Sequence, residues 1–329
     1  MSEKIITISV AAYNLENLIE RNIKSFLECK YRDKIELLII NDGSKDRTKE
    51  IAEKYQQEYP KIVKLINKEN GGAGSTVNVG IQNATGKYFR IVDGDDWVNP
   101  EQCDKLIEKL SEIDIDMVLC NYDIYNAERG VVTSTEKVRG LNKYDENLRF
   151  EDVENNFSLV MHEVIFRTDI LKENNIVLDN GFYTDIEYLL FPLPYVENFI
   201  YYDLSVYVYM IARAGQSMSV ESLQKHIDDH DLVLKHLVEF YIKNEKNISG
   251  KKKKLLIDKI VTIANNQLQT ILAFEDYDKV KNMLKDLHIY LQKSSKELYV
   301  AYRKNSKKAW LLTTNIGFLK FVLNYKRGR

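Results

Sequence analysis

The chain has 329 residues and a net charge of −2, with 47 Lys and Arg against 49 Asp and Glu, so no global positive field points to a nucleic-acid partner. Hydrophobic residues make up 44%, enough to bury a core in one large domain or two ordinary ones, and only 14 Gly and 4 Pro argue against low-complexity linkers. Cys29, Cys103 and Cys120 form no CxxC pair and make a poor disulfide framework, which suits a reducing cytoplasm.

The opening residues, Met1-Ser2-Glu3-Lys4, read as lacking a signal peptide, and no apolar run is long enough to span a bilayer. Residues 5–10 are rich in β-branched side chains and predict a buried strand, with Tyr13-Asn14 as the following turn. Leu15, Leu18, Ile19, Ile23, Phe26 and Leu27 then recur at helical spacing. A second strand, residues 35–40, ends in Asn41-Asp42-Gly43-Ser44, and Asp46 and Thr48 lie just inside a helix running to about Tyr59. Residues 61–67 predict a third strand. The glycine-rich stretch Asn70-Gly71-Gly72-Ala73-Gly74-Ser75-Thr76 opens a short helix ending near Asn83. After the turn Thr85-Gly86, an apolar strand runs into Asp93-Gly94-Asp95-Asp96-Trp97.

Three carboxylates within residues 93–96 repel one another unless something positive sits among them. Mg²⁺ or Mn²⁺, which prefer oxygen ligands, would relieve that repulsion and bring phosphate oxygens with them. A solvated acidic turn is the competing explanation. What favours the cation is the pattern around the cluster. Alternating strands and helices predict a mainly parallel α/β sheet with helices on both faces, and such sheets bind ligands beyond the carboxyl ends of their strands. Tyr13-Asn14, Asp42, the glycine loop and the Asp cluster each follow a strand, so four segments converge on one rim.

Beyond the cluster, Pro100 starts a helix ending near Glu112, residues 116–125 predict a strand, and residues 129–143 a polar excursion or hairpin. Residues 161–166 read as strand, 168–174 as helix, 181–188 as the start of another helix and 203–211 as a tyrosine-rich strand. From about Glu221 the pattern is almost wholly helical: one helix from Leu223 to Phe240, then residues 255–274 and 280–291. The expected division is residues 1–220 and a helical region of residues 221–329.

In their order and spacing, these motifs resemble the family 2 glycosyltransferases, bacterial enzymes of surface polysaccharide synthesis with the GT-A fold. The resemblance spans residues 4–219 and rests on Val10-Ala11-Ala12-Tyr13-Asn14, residues 39–48, Asn70-Gly71-Gly72 through Asn78-Val79-Gly80, Thr85-Gly86-Lys87-Tyr88, Asp93-Gly94-Asp95-Asp96-Trp97 and Tyr183-Thr184-Asp185. It implies a nucleotide-binding half (residues 1–98) and an acceptor half (99–220). Asp42 is implied to grip the nucleotide base, with Tyr13 against it and Ala11 and Asn14 beside it; Gly71, Gly72 and Asn78 belong to the same nucleotide site. Asp95 resembles the direct ligand of Mn²⁺ or Mg²⁺, with Asp93 near the ribose or the metal. Asp96, Trp97, His162 and Thr184 fall on the sugar and acceptor side. Asp185 resembles the general base, and Arg213 suits pyrophosphate oxygens.

The implied activity is metal-dependent, inverting transfer of a sugar from a nucleotide-sugar donor, with UDP the favoured carrier, to a hydroxyl of a cell-surface glycan or lipid-linked acceptor. A sugar-phosphate nucleotidyltransferase and a catalytically inactive nucleotide- or glycan-binding partner subunit are the alternatives. Two departures bear on them. Thr184 stands where relatives usually carry Glu, and Val77 where they often carry Arg. Glu187 is the substitute base, although two residues along a helix it would face elsewhere.

Three further features stay open. The glycine loop is either a tight connection or a phosphate-binding turn. His226 and His230 have a metal-compatible spacing around Asp229, but no third ligand is evident. After Glu297 the chain carries no acid, while Arg303, Lys304, Lys307, Lys308, Lys320, Lys326, Arg327 and Arg329 flank Trp310, Leu311, Leu312, Ile316, Phe318, Leu319, Phe321, Val322 and Leu323. That tail suits either a helix lying on the anionic inner face of the membrane or a docked helix with solvated lysines; self-association of the helical region is a third use.

Overall fold

The computed structural model describes residues 3–180, 183–212 and 220–326. It divides into two compact units: Met1–Asn180 with Thr184–Ala214, and Gly181–Tyr183 with Gly215–Arg329.

In the first unit, β1 (Ile6–Ala12), β2 (Ile35–Asp42), β3 (Val63–Lys68) and β4 (Tyr88–Asp93) are parallel, in the order β3-β2-β1-β4. The connections are α1 (Ile19–Leu27), α2 (Thr48–Glu58) and α3 (Ala73–Asn83). β2 is buried at every position, as a central parallel strand must be when helices cover both faces. Register decides which residues share the rim. Ala11 lies opposite both Ile40 and Asp93, and Asp42 opposite Lys68, so the carboxyl ends of all four strands come out level.

The sheet continues through β5 (Trp97–Val98), α4 (Pro100–Glu112), β6 (Met117–Asn126), β7 (Val131–Glu136), β8 (Val164–Arg167), α5 (Thr168–Glu173), α6 (Thr184–Leu190) and β9 (Phe199–Ile211). Its full order is β3-β2-β1-β4-β8-β6-β9-β5, with β7 paired to β6. β8 is antiparallel to β4 and β6. The residues just before β8 therefore lie next to the end of β4, which brings His162 toward Asp93. α4 starts as its sequence dictates, with Pro100 in the first turn and Asn99 Oδ1 accepting from the Gln102 amide at 3.2 Å. It buries Cys103, Leu106, Ile107 and Leu110, each aliphatic side chain worth roughly 1.5–3 kcal/mol. All three cysteines are free and buried.

The second unit holds α7 (Val220–Lys225), α8 (Ile227–Asn244), α9 (Gly250–Ile271), α10 (Tyr277–Ser294), α11 (Lys296–Asn305), α12 (Lys307–Thr314) and α13 (Leu319–Lys326). The single helix expected over residues 223–240 is broken at His226, whose backbone (φ −105°, ψ 26°) leaves the helical region while its Nδ1 lies 2.9 Å from Asp229 Oδ2. Leu234, Leu237, Leu256, Leu268, Leu284 and Tyr302 are among its buried side chains. Glu297 pairs with Lys253 at 2.7 Å and accepts from the Tyr241 hydroxyl at 2.5 Å. The basic tail is divided: Leu312, Leu319, Val322 and Leu323 are buried, whereas Trp310, Phe318 and Phe321 are 53, 43 and 65% exposed. Among the described residues, no helix is long and apolar enough to cross a membrane.

Candidate active site

Asp42, at the end of β2, is 4% exposed and organises the nucleotide side of the rim. Its Oδ1 accepts from Lys68 Nζ at 2.5 Å and from the Gly71 amide at 2.9 Å, and its Oδ2 accepts from the Gly72 amide at 2.9 Å. Asn70 Nδ2 donates to the Asp42 carbonyl at 2.9 Å. The Gly71 and Gly72 amides are thus both bonded to the Asp42 carboxylate, which ties the glycine loop to the end of β2. Gly72 has φ +84°, and a Cβ on Gly74 would lie 1.5 Å from the Asp179 carbonyl oxygen. Only glycine fits either place. Asn78 is likewise engaged: its Nδ2 donates to the Leu178 carbonyl and its Oδ1 accepts from the Leu178 amide, both at 2.8 Å. That reciprocal clasp ties α3 to Leu178, so Asn78 reaches the proposed nucleotide site through the position of α3.

Beside Asp42, a cavity of about 470 Å³ is lined by Tyr13, Gly43, Lys45, Asn67, Lys68, Glu69 and Asn70. Tyr13 is 50% exposed at its edge. Asn14 adopts φ 53°, a left-handed conformation that asparagine tolerates, and its Oδ1 accepts from the Lys45 amide at 2.8 Å. It shapes the wall of this cavity through the 43–45 turn. Val77, where relatives often carry arginine, is buried on α3.

The acid loop follows β4. Asp96 is 1% exposed, accepting from the Tyr207 hydroxyl at 2.6 Å and from the Met210 amide at 2.8 Å. The Asp93 amide donates to the same Tyr207 oxygen at 3.2 Å. Burial, then the charges of Asp95 and Asp185, push Asp93 up to about 7. Burial, then Asp93 and Asp95, push Asp96 up to about 8. His162 stacks on Tyr209 with ring centroids 4.5 Å apart and also meets Tyr207 and Tyr122. Burial, then the Arg90 guanidinium, holds it down to about 3, so it is a neutral imidazole. Ligand atoms of Asp93, Asp96 and His162 lie within 4.8 Å of one another. That grouping mixes two carboxylates with a neutral imidazole; the oxygen donors of residues 93–96 are the part that fits a divalent cation of the Mg²⁺ or Mn²⁺ class, which would relieve the burial and repulsion that raise Asp93 and Asp96.

Asp185 sits in the first turn of α6, close enough for its charge to raise Asp93. The helix thus delivers it to the rim. Thr184 precedes it, its methyl 3.0 Å from where a Gly74 Cβ would lie. Glu187 is fully buried, accepts from the Asp179 amide at 2.7 Å and is pushed up to about 8, burial first. A buried, protonated Glu187 has no route to an acceptor hydroxyl, as its position two residues along the helix suggested. Arg213 lies outside the described residues.

Lys68, Tyr207, Arg21 and Asn22 escaped the sequence reading. Arg21 Nη2 donates to the Asp95 carbonyl at 3.2 Å, with its guanidinium carbon 3.7 Å from the Trp97 ring centroid. Tyr125 meets the same indole edge-on at 4.9 Å. The available signal was Asn22, a polar residue within the apolar stripe of α1.

Comparison with known proteins agrees with this geometry. The model of Glycosyl transferase family 2 matches residues 7–174, just over half of the chain. The chain belongs to this family and is a glycosyltransferase. It is 29% identical over 274 residues to the uncharacterized glycosyltransferase EpsJ of Bacillus subtilis, covering 82% of this chain and 77% of EpsJ. It is 25% identical over 335 aligned positions to the glycosyltransferase GlyA of Streptococcus pneumoniae, covering 97% of this chain but 45% of GlyA. The fold is GT-A: the crystal structure of S. aureus TarS in complex with UDP-GlcNAc superposes with TM-score 0.66 at 16% identity, over 99% of this chain and 92% of that one. The mannosyltransferase PcManGT of Pyrobaculum calidifontis, in complex with GDP-Man and Mn²⁺, gives 0.53 at 16% identity, over 95% of this chain and 84% of that one.

Proposed function

We propose that this glycosyltransferase is metal-dependent and inverting, and moves a sugar from a nucleotide-sugar donor, a UDP-sugar for preference, to a hydroxyl of a cell-surface glycan or lipid-linked acceptor. The observation that carries the reading is the meeting of Asp185 with the Asp93–Asp96 loop at the rim that also holds Asp42. Complexes of fold neighbours with UDP-GlcNAc and with GDP-Man and Mn²⁺ support the donor class and the cation.

The roles follow from placement. Asp42 Oδ2 accepts one hydrogen bond, leaving a lone pair for a ring N–H of the base, and Tyr13 flanks the adjoining cavity. Asp95 and Asp93 would hold Mn²⁺ or Mg²⁺, which would supply positive charge against the departing diphosphate. Asp96, held by the Tyr207 hydroxyl and the Met210 amide, braces the sugar side with His162 and Trp97. Asp185 takes the proton of the acceptor hydroxyl as its oxygen attacks the anomeric carbon opposite the leaving nucleoside diphosphate, so configuration inverts. Thr184, in place of the usual Glu, is the feature that favours the inactive-subunit alternative. Incubation with a panel of nucleotide sugars and Mn²⁺, with and without chelator, separates the two. Transfer or donor hydrolysis that chelator abolishes supports the enzyme, whereas binding with no turnover supports the partner subunit.

The divided tail extends the reading to a lipid-borne acceptor. Exposed Trp310, Phe318 and Phe321, with Lys304, Lys307 and Lys320 exposed around them, suit an anionic membrane surface, while the docked side explains the buried leucines. Replacing Trp310, Phe318 and Phe321 together by serine is expected to lower co-sedimentation with anionic liposomes at least several-fold and to leave turnover on a soluble acceptor unchanged. Unaltered co-sedimentation would assign those side chains to another use.

A further inference from the structure

The back of the acid loop is held by two consecutive residues of α1. Asn22 is fully buried, and its single amide nitrogen donates to two carbonyls, that of Asp96 at 2.9 Å and that of Asp93 at 3.2 Å. Arg21 Nη2 donates to the carbonyl between them, that of Asp95, at 3.2 Å. The next turn of the helix continues the contact, with Ser25 Oγ accepting from the Val98 amide at 3.2 Å. Gly94 lets the loop come this close: a Cβ there would lie 2.5 Å from Leu15 Cδ1 and 2.6 Å from the Ala11 carbonyl oxygen.

A buried carbonyl needs a hydrogen-bond donor, but that need alone does not require one rigid amide to serve both ends of a four-residue loop. The Asp96 amide already closes the loop on the Asp93 carbonyl at 3.0 Å; what Asn22 adds is to tie both of those carbonyls to α1, while the guanidinium ties the middle. The Asn22 Oδ1 is buried with no hydrogen-bond partner, so the side chain's hydrogen bonding is all made through its nitrogen, to this loop. Metal ligands must stand within about 0.2 Å of ideal distance, so an ion is sensitive to small changes in such a loop.

We infer that Asn22, supported by Arg21, is a positioning residue of the cation site: it holds the backbone of residues 93–96 in the form that presents Asp93 and Asp95 to one divalent ion. The inference rests on the proposed cation reading and adds to it a residue outside the acid motif. Asn22 is the cleaner of the two to test, because it carries no charge. Arg21 adds a positive charge beside Asp95 and Asp96 that opposes the cation while its hydrogen bond assists it.

The experiment titrates Mn²⁺ into protein saturated with UDP, following free Mn²⁺ by electron paramagnetic resonance. It compares wild type, Asn22→Leu, which removes both donors at nearly constant volume, and Asn22→Ser, which keeps one. Melting temperature and UDP binding without metal are measured alongside. Loss of a group that orients ligands costs about 10- to 100-fold in metal affinity, so the Leu variant is expected in that range and the Ser variant between it and wild type, with metal-free UDP binding unchanged. A lower melting temperature with wild-type Mn²⁺ affinity would reduce Asn22 to a structural role and overturn the inference. If the Leu variant fails to fold, wild-type affinity in the Ser variant overturns it equally. A wild type that takes up no Mn²⁺ sinks the cation reading, and this inference with it.

Discussion

Asp95→Ala is expected to abolish metal-stimulated transfer while the protein stays folded. In the proposed reading a divalent cation would supply several kcal/mol of charge stabilisation to the departing diphosphate, so losing its proposed ligand should lower kcat/KM about a thousandfold, ~4 kcal/mol. The fold should tolerate the change, because Asp95 is only half-buried and its backbone carbonyl stays held by Arg21 Nη2 in the variant. Without metal the effect on stability reverses in sign. The Asp95 charge helps hold both Asp93 and Asp96 above the normal carboxylate range, so its removal lowers both and relieves repulsion in the folded state. At neutral pH and in chelator, the melting temperature of the variant should equal or exceed that of wild type, and in Mn²⁺ with UDP the order should invert. Near-wild-type turnover in Asp95→Ala would remove the metal role assigned to this residue.

The second large effect belongs to Asp185→Asn. The replacement is nearly isosteric and removes the capacity to accept a proton together with the negative charge that helps raise Asp93. Loss of a general base costs typically 10²–10⁴-fold, and transfer should fall by about that much. Donor binding should persist, since the cavity beside Asp42 is lined by other residues. Glu187 offers no rescue, being buried, raised to about 8 and bonded to the Asp179 amide. Measuring the donor dissociation constant and the transfer rate on one preparation separates a lost base from a lost site. Transfer at the wild-type rate would move the base elsewhere in the chain.

The donor side of this molecule was legible because its signals are local. β-Branched runs predict β1, β2 and β4, polar residues follow each strand, and parallel register then brings those residues to one rim without further information. The limits of α4 were equally plain, set by Asn99-Pro100 at one end. What local pattern could not reveal is how those residues are supported. Tyr207 reaches Asp96 across 111 positions of sequence, and Lys68 reaches Asp42 across 26. Neither pairing leaves a periodic trace. The glycine loop was left open for a related reason: glycine amides suit a phosphate and a carboxylate equally well, and only the fold shows that the Gly71 and Gly72 amides donate to Asp42. The break at His226 was missed because the apolar spacing continues on both sides of it.

The clasp between Asn78 and Leu178 has a consequence for how the two substrates meet. Helix α3 opens at the loop on Asp42, so its position is tied to the proposed nucleotide site. Leu178 is fastened to that helix, and the next residue, Asp179, donates its amide to Glu187 Oε2 on α6, the helix that carries Asp185. The proposed proton acceptor is therefore gauged from the donor's own frame, and loosening either link would misplace it.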